Sequence, residues 1–154
     1  MVSEAEYYSK ISRGYDELYL KEQIEKFMKL KKFVGFKKSD FVLDVGCGTG
    51  SITSEIKKNV KFVIGIDISI EMVKLAKKRG VICVVADAEN LPFKRDVFDK
   101  VICITTIQNI KNQEKAMNEM ERVCKKKGMI IITAMKRSKK ILFLRYLLKK
   151  GIFL

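Results

Sequence analysis

The sequence contains no histidine, so any general base has to be a carboxylate, a lysine, a tyrosine or water. Proline occurs once, at Pro92, in a stretch that reads as a loop. No apolar run reaches the roughly 20 residues that a membrane-spanning helix needs. Cysteine is sparse and scattered: Cys47, Cys83, Cys103 and Cys124 form no C-x-x-C pair. That excludes the usual zinc frameworks, and no metal is expected. Neither G-x-x-x-x-G-K-[ST] nor G-x-G-x-x-G occurs, which leaves a P-loop and a dinucleotide fingerprint unsupported. Internal repeats and low-complexity linkers are missing too. With reduced thiols and no cleavable leader in view, these absences predict a cytoplasmic location.

Positive charge, by contrast, is abundant. Thirty-two basic residues stand against 18 acidic ones, a net charge of +14 in 154 residues. Such a balance favours an anionic partner, RNA among them. Lysine runs at 29–38, 74–79, 125–127 and 136–140 spread that charge over predicted helix faces and turns, so solvated surface is the competing reading. A chain of this length forms one domain that buries roughly 70% of the surface its unfolded form exposes.

Strand and helix patterns alternate with short connections, as a parallel sheet covered by helices on both faces requires. Strands are predicted at 41–45, 62–66, 81–86, 100–104 and 129–134. Helices are predicted around 21–33, 50–57, 113–124, and from a Ser69 cap to Arg79, where Gly80 ends the helix. The most informative stretch is 41–50, FVLDVGCGTG, in which an apolar strand runs directly into Gly46, Gly48 and Gly50. Such a turn lets backbone approach a ligand closely. Its third glycine comes one residue too early for a dinucleotide loop. Asp44, two residues before the turn, also sits poorly beside a pyrophosphate. The ligand implied is less anionic than NAD.

A strand followed by Asp44-x-Gly46-x-Gly48 resembles the first motif of the class I S-adenosylmethionine-dependent methyltransferases. Four further segments match that family in order. An apolar strand closes on Asp67; Ala86-Asp87-Ala88-Glu89-Asn90-Leu91-Pro92-Phe93 is similar to the family's D-A-x-x-L-P-F segment; 97–104 matches the fourth strand; and Lys125-Lys126-Lys127-Gly128 stands where the family turns into strand five. The resemblance implies a Rossmann-like, doubly wound, mostly parallel sheet of order 3-2-1-4-5. It implies S-adenosyl-L-methionine as cofactor, with S-adenosyl-L-homocysteine as product. Asp67 then accepts from the two ribose hydroxyls, and Asp87 with the amide of Ala88 reads the adenine edge. Gly46, Cys47 and Gly48 line the turn with Asp44, while Ile68, Ile104, Thr105 and Tyr15 complete the expected cofactor site.

The sequence departs from the family in three places. Gly128 lacks the usual preceding proline. Where many members carry a histidine pair after strand four, this chain has Gln108 and Asn109, and Thr105-Thr106-Ile107-Gln108 does not match the N-P-P-[YF] of amide-nitrogen methylating members. Thr105, Gln108 and Asn109 are the candidates for orienting an acceptor. Thr105 and Thr106 can equally be read as satisfying backbone groups at a strand end.

Both ends of the chain carry expectations. Four of five tyrosines fall within the first 19 residues, and residues 1–38 resemble a helical lid that closes over cofactor and substrate. Residues 39–135 form the expected cofactor-binding core. Residues 136–154 read as an amphipathic helix, with the family's strands six and seven absent. An edge left open at strand five or four invites cover by a second copy, an activating subunit or a membrane surface. The function expected is in-line methyl transfer to RNA or a small molecule. The alternative is a non-catalytic cofactor-binding subunit or regulator.

Overall fold

The computed structural model describes residues 3–134. It opens with α1 (Glu4–Val34), a single helix of 31 residues. Ser3 starts it: its hydroxyl accepts from the Glu6 amide, and the Glu6 carboxylate accepts from the Ser3 amide at 2.9 Å. This reciprocal box satisfies two donors that a helix start leaves open. Gly35 ends the helix at φ 59. The sequence pattern separates a leading segment from a helix beginning near residue 21. The structure joins them, because nothing in 4–34 breaks a helix and Gly14 costs only about 1 kcal/mol relative to alanine.

The rest alternates: β1 (Phe41–Val45), α2 (Ser51–Lys57), β2 (Phe62–Asp67), α3 (Ile70–Lys78), β3 (Ile82–Val85), β4 (Phe98–Ile104), a short 3-10 turn (Ile107–Asn109), α4 (Gln113–Val123) and β5 (Cys124–Thr133). All pairings are parallel, and the order is β3-β2-β1-β4-β5. This is the expected Rossmann-like sheet. Its outer strands among the described residues are β3 and β5; β4 is flanked on both sides, which corrects the expectation of an open edge there.

Side-chain alternation builds two apolar layers. Val42, Ile102, Ile104 and Ile131 point to one face and pack with Phe27 and Leu30 of α1 and Ile52 and Ile56 of α2. Leu43, Val45, Val101 and Ile132 point to the other face and meet Met117 and Met120 of α4. Each such side chain, fully buried, contributes about 1.5–3 kcal/mol. With helices on both faces, strands β1 and β4 read as nearly continuous apolar runs.

One boundary differs instructively. Residues 125–128 read as a turn, yet the strand already begins at Cys124, which lies opposite Phe98 of β4, and the register then jumps to Lys100 opposite Met129. The extra residues of β5 bulge out, and Gly128 is needed at that point. A Cβ there would lie 2.6 Å from the Cys124 sulfur and 2.9 Å from the Asp99 carbonyl oxygen.

The expected C-terminal amphipathic helix, 136–154, lies outside the described residues. No described helix is long and apolar enough to cross a membrane.

Candidate functional site

The order in which successive strands are added reverses at β1. From there β2 and β3 build outward on one side and β4 and β5 on the other, and the crevice at such a switch point is where open α/β sheets hold ligands. The glycine turn occupies that crevice. The amides of Gly46 and Cys47 both donate to the Ile66 carbonyl, at 2.8 and 2.9 Å, which ties the turn to the end of β2. Gly46 has φ 75, and a Cβ there would collide with the Thr106 side chain at 2.3 Å. Its glycine is therefore demanded by the contact with the loop after β4. Gly48 differs: a Cβ there would meet nothing within 4 Å, so the turn has open space over its middle.

Asp67 ends β2 beside this opening. One carboxylate oxygen accepts from the Gly48 amide at 2.9 Å and the other from the Ser69 amide at 2.9 Å. An ionised carboxylate has about four acceptor positions, so two backbone bonds fix its plane and leave room for two more donors. Burial raises the Asp67 pKa above its usual value, opposed by the amides of Ser69, Gly48 and Ile68. Ile68 itself is exposed at the rim, and Ser69 caps α3 through the Met72 amide.

Asp44 is more deeply enclosed. It is 3% exposed, and the Thr53 hydroxyl of α2 donates to it at 2.7 Å. Burial pushes its pKa from 3.8 up to about 7; the Thr53 bond lowers it, and nearby Asp67 raises it further. Between those values the folded chain holds a proton that the unfolded chain has released. The contribution to stability is therefore complete below about pH 4 and falls as pH rises to about 7, by on the order of 4 kcal/mol at most. Urea unfolding at pH 5 and pH 8 should show a larger loss for the unmodified chain than for Asp44→Asn. Equal losses would remove Asp44 as the source.

The adenine-edge candidates lie one strand further out. The Ala86 amide donates to the Asp67 carbonyl at 3.0 Å, placing Asp87 and Ala88 beside the end of β2. The exposed Asp87 accepts from the Glu89 amide at 2.8 Å, an Asx-type turn that shapes the loop, while Ala88 packs against the core. Cys47 contributes backbone only. Its thiol is buried over Gly65, and burial with the neighbouring Asp44 and Asp67 carboxylates pushes its pKa well up.

Beyond β4, both threonines bond to backbone groups. Thr105 has φ 52, an uncommon conformation for a β-branched residue. It is held there on every side: its amide donates to Thr133, its hydroxyl to the Ile104 carbonyl, and its carbonyl accepts from the Gln108 amide group at 2.7 Å. The Thr106 hydroxyl lies 3.4 Å from the Gly46 carbonyl and 3.2 Å from that of Ile104. Ile104 is buried and Asn109 half-buried. Gln108 is 8% exposed, and its side-chain oxygen is the one buried acceptor without a partner among the described residues. Tyr15 lies on α1, and its side chain is outside the described residues.

Two participants escape sequence reading. Thr53 meets Asp44 across nine positions, and Gln23 of α1 donates to the Thr105 hydroxyl at 3.2 Å across 82. Helical periodicity marks Gln23 only as polar, and nothing local signals its partner.

A family profile described as "Methyltransferase domain" matches residues 43–132, more than half of the chain. The chain belongs to the class I S-adenosylmethionine-dependent methyltransferases. It is 42% identical over 132 residues to an uncharacterized protein of Methanocaldococcus jannaschii, covering 83% of this chain and 50% of that protein. It is 32% identical over 130 residues to the tRNA (carboxymethyluridine(34)-5-O)-methyltransferase of Arabidopsis thaliana, covering 80% of this chain and 32% of that enzyme. Among solved structures, an S-adenosylmethionine-dependent methyltransferase of Thermotoga maritima, described as a possible histamine N-methyltransferase, superimposes with a TM-score of 0.73 at 28% identity, covering 93% of this chain and 66% of that one. The chain thus spans half or less of the length of the two sequence relatives. The family's cofactor fits the site's chemistry: Asp67 has acceptor positions to spare, Gly48 lies under open space, and ionised Asp44 gains from a nearby cation.

Proposed function

We propose that the chain binds S-adenosyl-L-methionine across the C-terminal ends of β1, β2 and β3 and transfers its methyl group to an acceptor seated beyond β4. The observation that carries this reading is the Asp67 carboxylate, fixed by the Gly48 and Ser69 amides beside the open glycine turn. In this reading Asp67 takes the ribose hydroxyls, Asp87 and the Ala88 amide take the adenine edge, and Ile68 covers the ring with its exposed side chain. Gly46, Cys47 and Gly48 present backbone, and Asp44 supplies negative charge toward the cationic end. Ile104 and Thr105 close the side toward β4. Bound there, the cofactor supplies a methyl group on a positively charged sulfur, so the chain's task is alignment, not covalent catalysis.

Gln108 is the residue best placed to orient an acceptor, because its unpartnered oxygen calls for an N–H or O–H donor. Thr105 and Asn109 assist through position. The N-terminal segment 1–38, with Tyr15 on α1, serves as a lid over the site; the Gln23–Thr105 bond links α1 to the loop after β4. The acceptor is RNA or a small metabolite. Four buried free cysteines agree with a reducing, cytoplasmic setting. The β3 edge, unpaired among the described residues and with Ile82 and Val85 exposed, suits a second copy or an activating subunit.

The second reading is a non-catalytic cofactor-binding subunit or regulator acting with a partner chain, favoured by Gln108 and Asn109, which are poor bases, standing after β4. Calorimetry with S-adenosylmethionine and S-adenosylhomocysteine tests both readings, and both fail if neither ligand binds at high micromolar concentration. Methyl-labelled cofactor incubated with total RNA and with a metabolite extract then separates them. Label in either pool supports transfer, and binding without label supports the subunit.

A further inference from the structure

The opposite end of the sheet carries a second concave feature. At the N-terminal ends of β1, β4 and β5, the chain encloses a recess of about 280 Å3. Its lining brings together Lys37, Lys100, Lys125 and Lys127 with Asp40 and Asp99. Four lysines against two aspartates give these lining residues a summed charge of +2. Its acids are committed: Asp40 pairs with buried Lys100, and Asp99 pairs with Lys125 at 2.9 Å while accepting from the Phe41 amide. Lys37 and Lys127 are exposed and enter no ion pair among the described residues. Lysine is spread along the surrounding rim as well. Lys61 on one side and Lys125 on the other place their ammonium groups 5.6 and 5.8 Å from the Phe41 ring, and Lys126 is exposed beside them.

An exposed aromatic ring stands next to the recess in the chain. Phe33, one residue before the Val34 and Gly35 that line the recess, is 74% exposed at the end of α1. A positively charged groove beside an open aromatic face is the combination that single-stranded nucleic acid uses, phosphates in the groove and a base on the ring. A flat anionic bilayer would instead engage convex, projecting lysines, and the two acids set into this recess would face it without gain. From β2 to β5 the basic rim spans three strand spacings, about 14 Å, enough for a short stretch of sugar-phosphate backbone.

The geometry points to a docking site for single-stranded RNA at the N-terminal pole of the sheet, with a phosphate seated between the exposed Lys37 and Lys127 and a base stacked on Phe33. The site is separate from the glycine turn, since the five residues of β1 set the two ends about 17 Å apart. It therefore stands or falls independently of methyl transfer.

The test is fluorescence anisotropy with a fluorescein-labelled 12-nucleotide single-stranded RNA at several salt concentrations. Lys37→Glu/Lys127→Glu is compared with Lys74→Glu/Lys115→Glu, which makes the same charge change on α3 and α4. The pole pair should weaken binding at least tenfold and flatten the log–log salt slope by about 0.7 for each phosphate the variant no longer neutralises. The control pair should weaken it less than threefold. Phe33→Ala should weaken binding about fivefold or more with the salt slope unchanged. Circular dichroism checks that each variant is folded, and Lys37→Ala/Lys127→Ala replaces the charge reversal if it is not. Equal weakening by the two pairs would mean diffuse attraction and overturn the site. So would absence of RNA binding, whether or not the chain binds phosphatidylserine vesicles.

Discussion

Asp67→Ala should lower affinity for S-adenosylmethionine and S-adenosylhomocysteine at least 30-fold, about 2 kcal/mol or more. The effect has two physical parts. Hydrogen bonds to an ionised acceptor contribute about 1.5–3 kcal/mol each, and a diol facing Asp67 loses two of them. The second part is internal, because the carboxylate also holds the Gly48 and Ser69 amides. Alanine leaves both amides without that acceptor, so the middle of the glycine turn loses its anchor to β2. Asp67→Asn separates these parts. Its single carbonyl oxygen can keep one amide, while its NH2 group faces the other donor and repels it, so an intermediate loss is expected. Titration calorimetry on variants shown to be folded by circular dichroism reads both values. Unchanged affinity in folded Asp67→Ala would refute the assignment of β2's terminal acid to the ligand.

How far this site could be read in advance depends on how local its signals are. Strand, glycine turn and helix lie within 41–57, and their apolar, glycine and polar blocks follow from backbone geometry alone. The terminal acids Asp67 and Asp87 stand next to their strands, so a strand prediction places them at the same end of the sheet as the turn. The strand order, with β1 central, needed the family resemblance, since alternation of strand and helix is compatible with several windings. Contacts that cross the fold left no trace. Gly46 looks like a ligand-approach glycine, but the contact that demands it is Thr106, 60 positions away. In sequence Thr105 and Gln108 are both candidates for orienting an acceptor, with a backbone role open for Thr105; the fold adds that Thr105 is hydrogen-bonded to Thr133, Ile104 and Gln108 while the Gln108 oxygen has no partner among the described residues. The lysine run 125–127 reads as a turn because charge and strand seldom coincide. It joins β5 because its strand lies at the outer side of the sheet, where lysine side chains reach water.

The ion pair between Asp40 and Lys100 is the structural feature least visible in the sequence and the one whose loss should cost most stability. Both side chains are almost fully buried, at 6% and 8% exposure. Asp40 ends the turn after α1, where its carboxylate also accepts the Lys37 amide at 2.7 Å, and Lys100 stands in β4 with its ammonium 6.0 Å from the Phe36 ring. Asp40→Ala strands a buried ammonium and should destabilise the fold by about 3–5 kcal/mol. Lys100→Met alone should cost less, because Asp40 retains the Lys37 amide and lies close to the basic rim. A buried pair is not itself a large net gain, since desolvation of two ions offsets most of their attraction. Asp40→Asn combined with Lys100→Met keeps the turn's acceptor and the side-chain volume while removing both charges, so it should fall within about 1–2 kcal/mol of the unmodified chain. Urea unfolding of these variants together with single Asp40→Asn closes the double-mutant cycle and gives the coupling energy. If the double variant is as unstable as Asp40→Ala, the charges themselves contribute net stability at this site, and the compensation argument is wrong here.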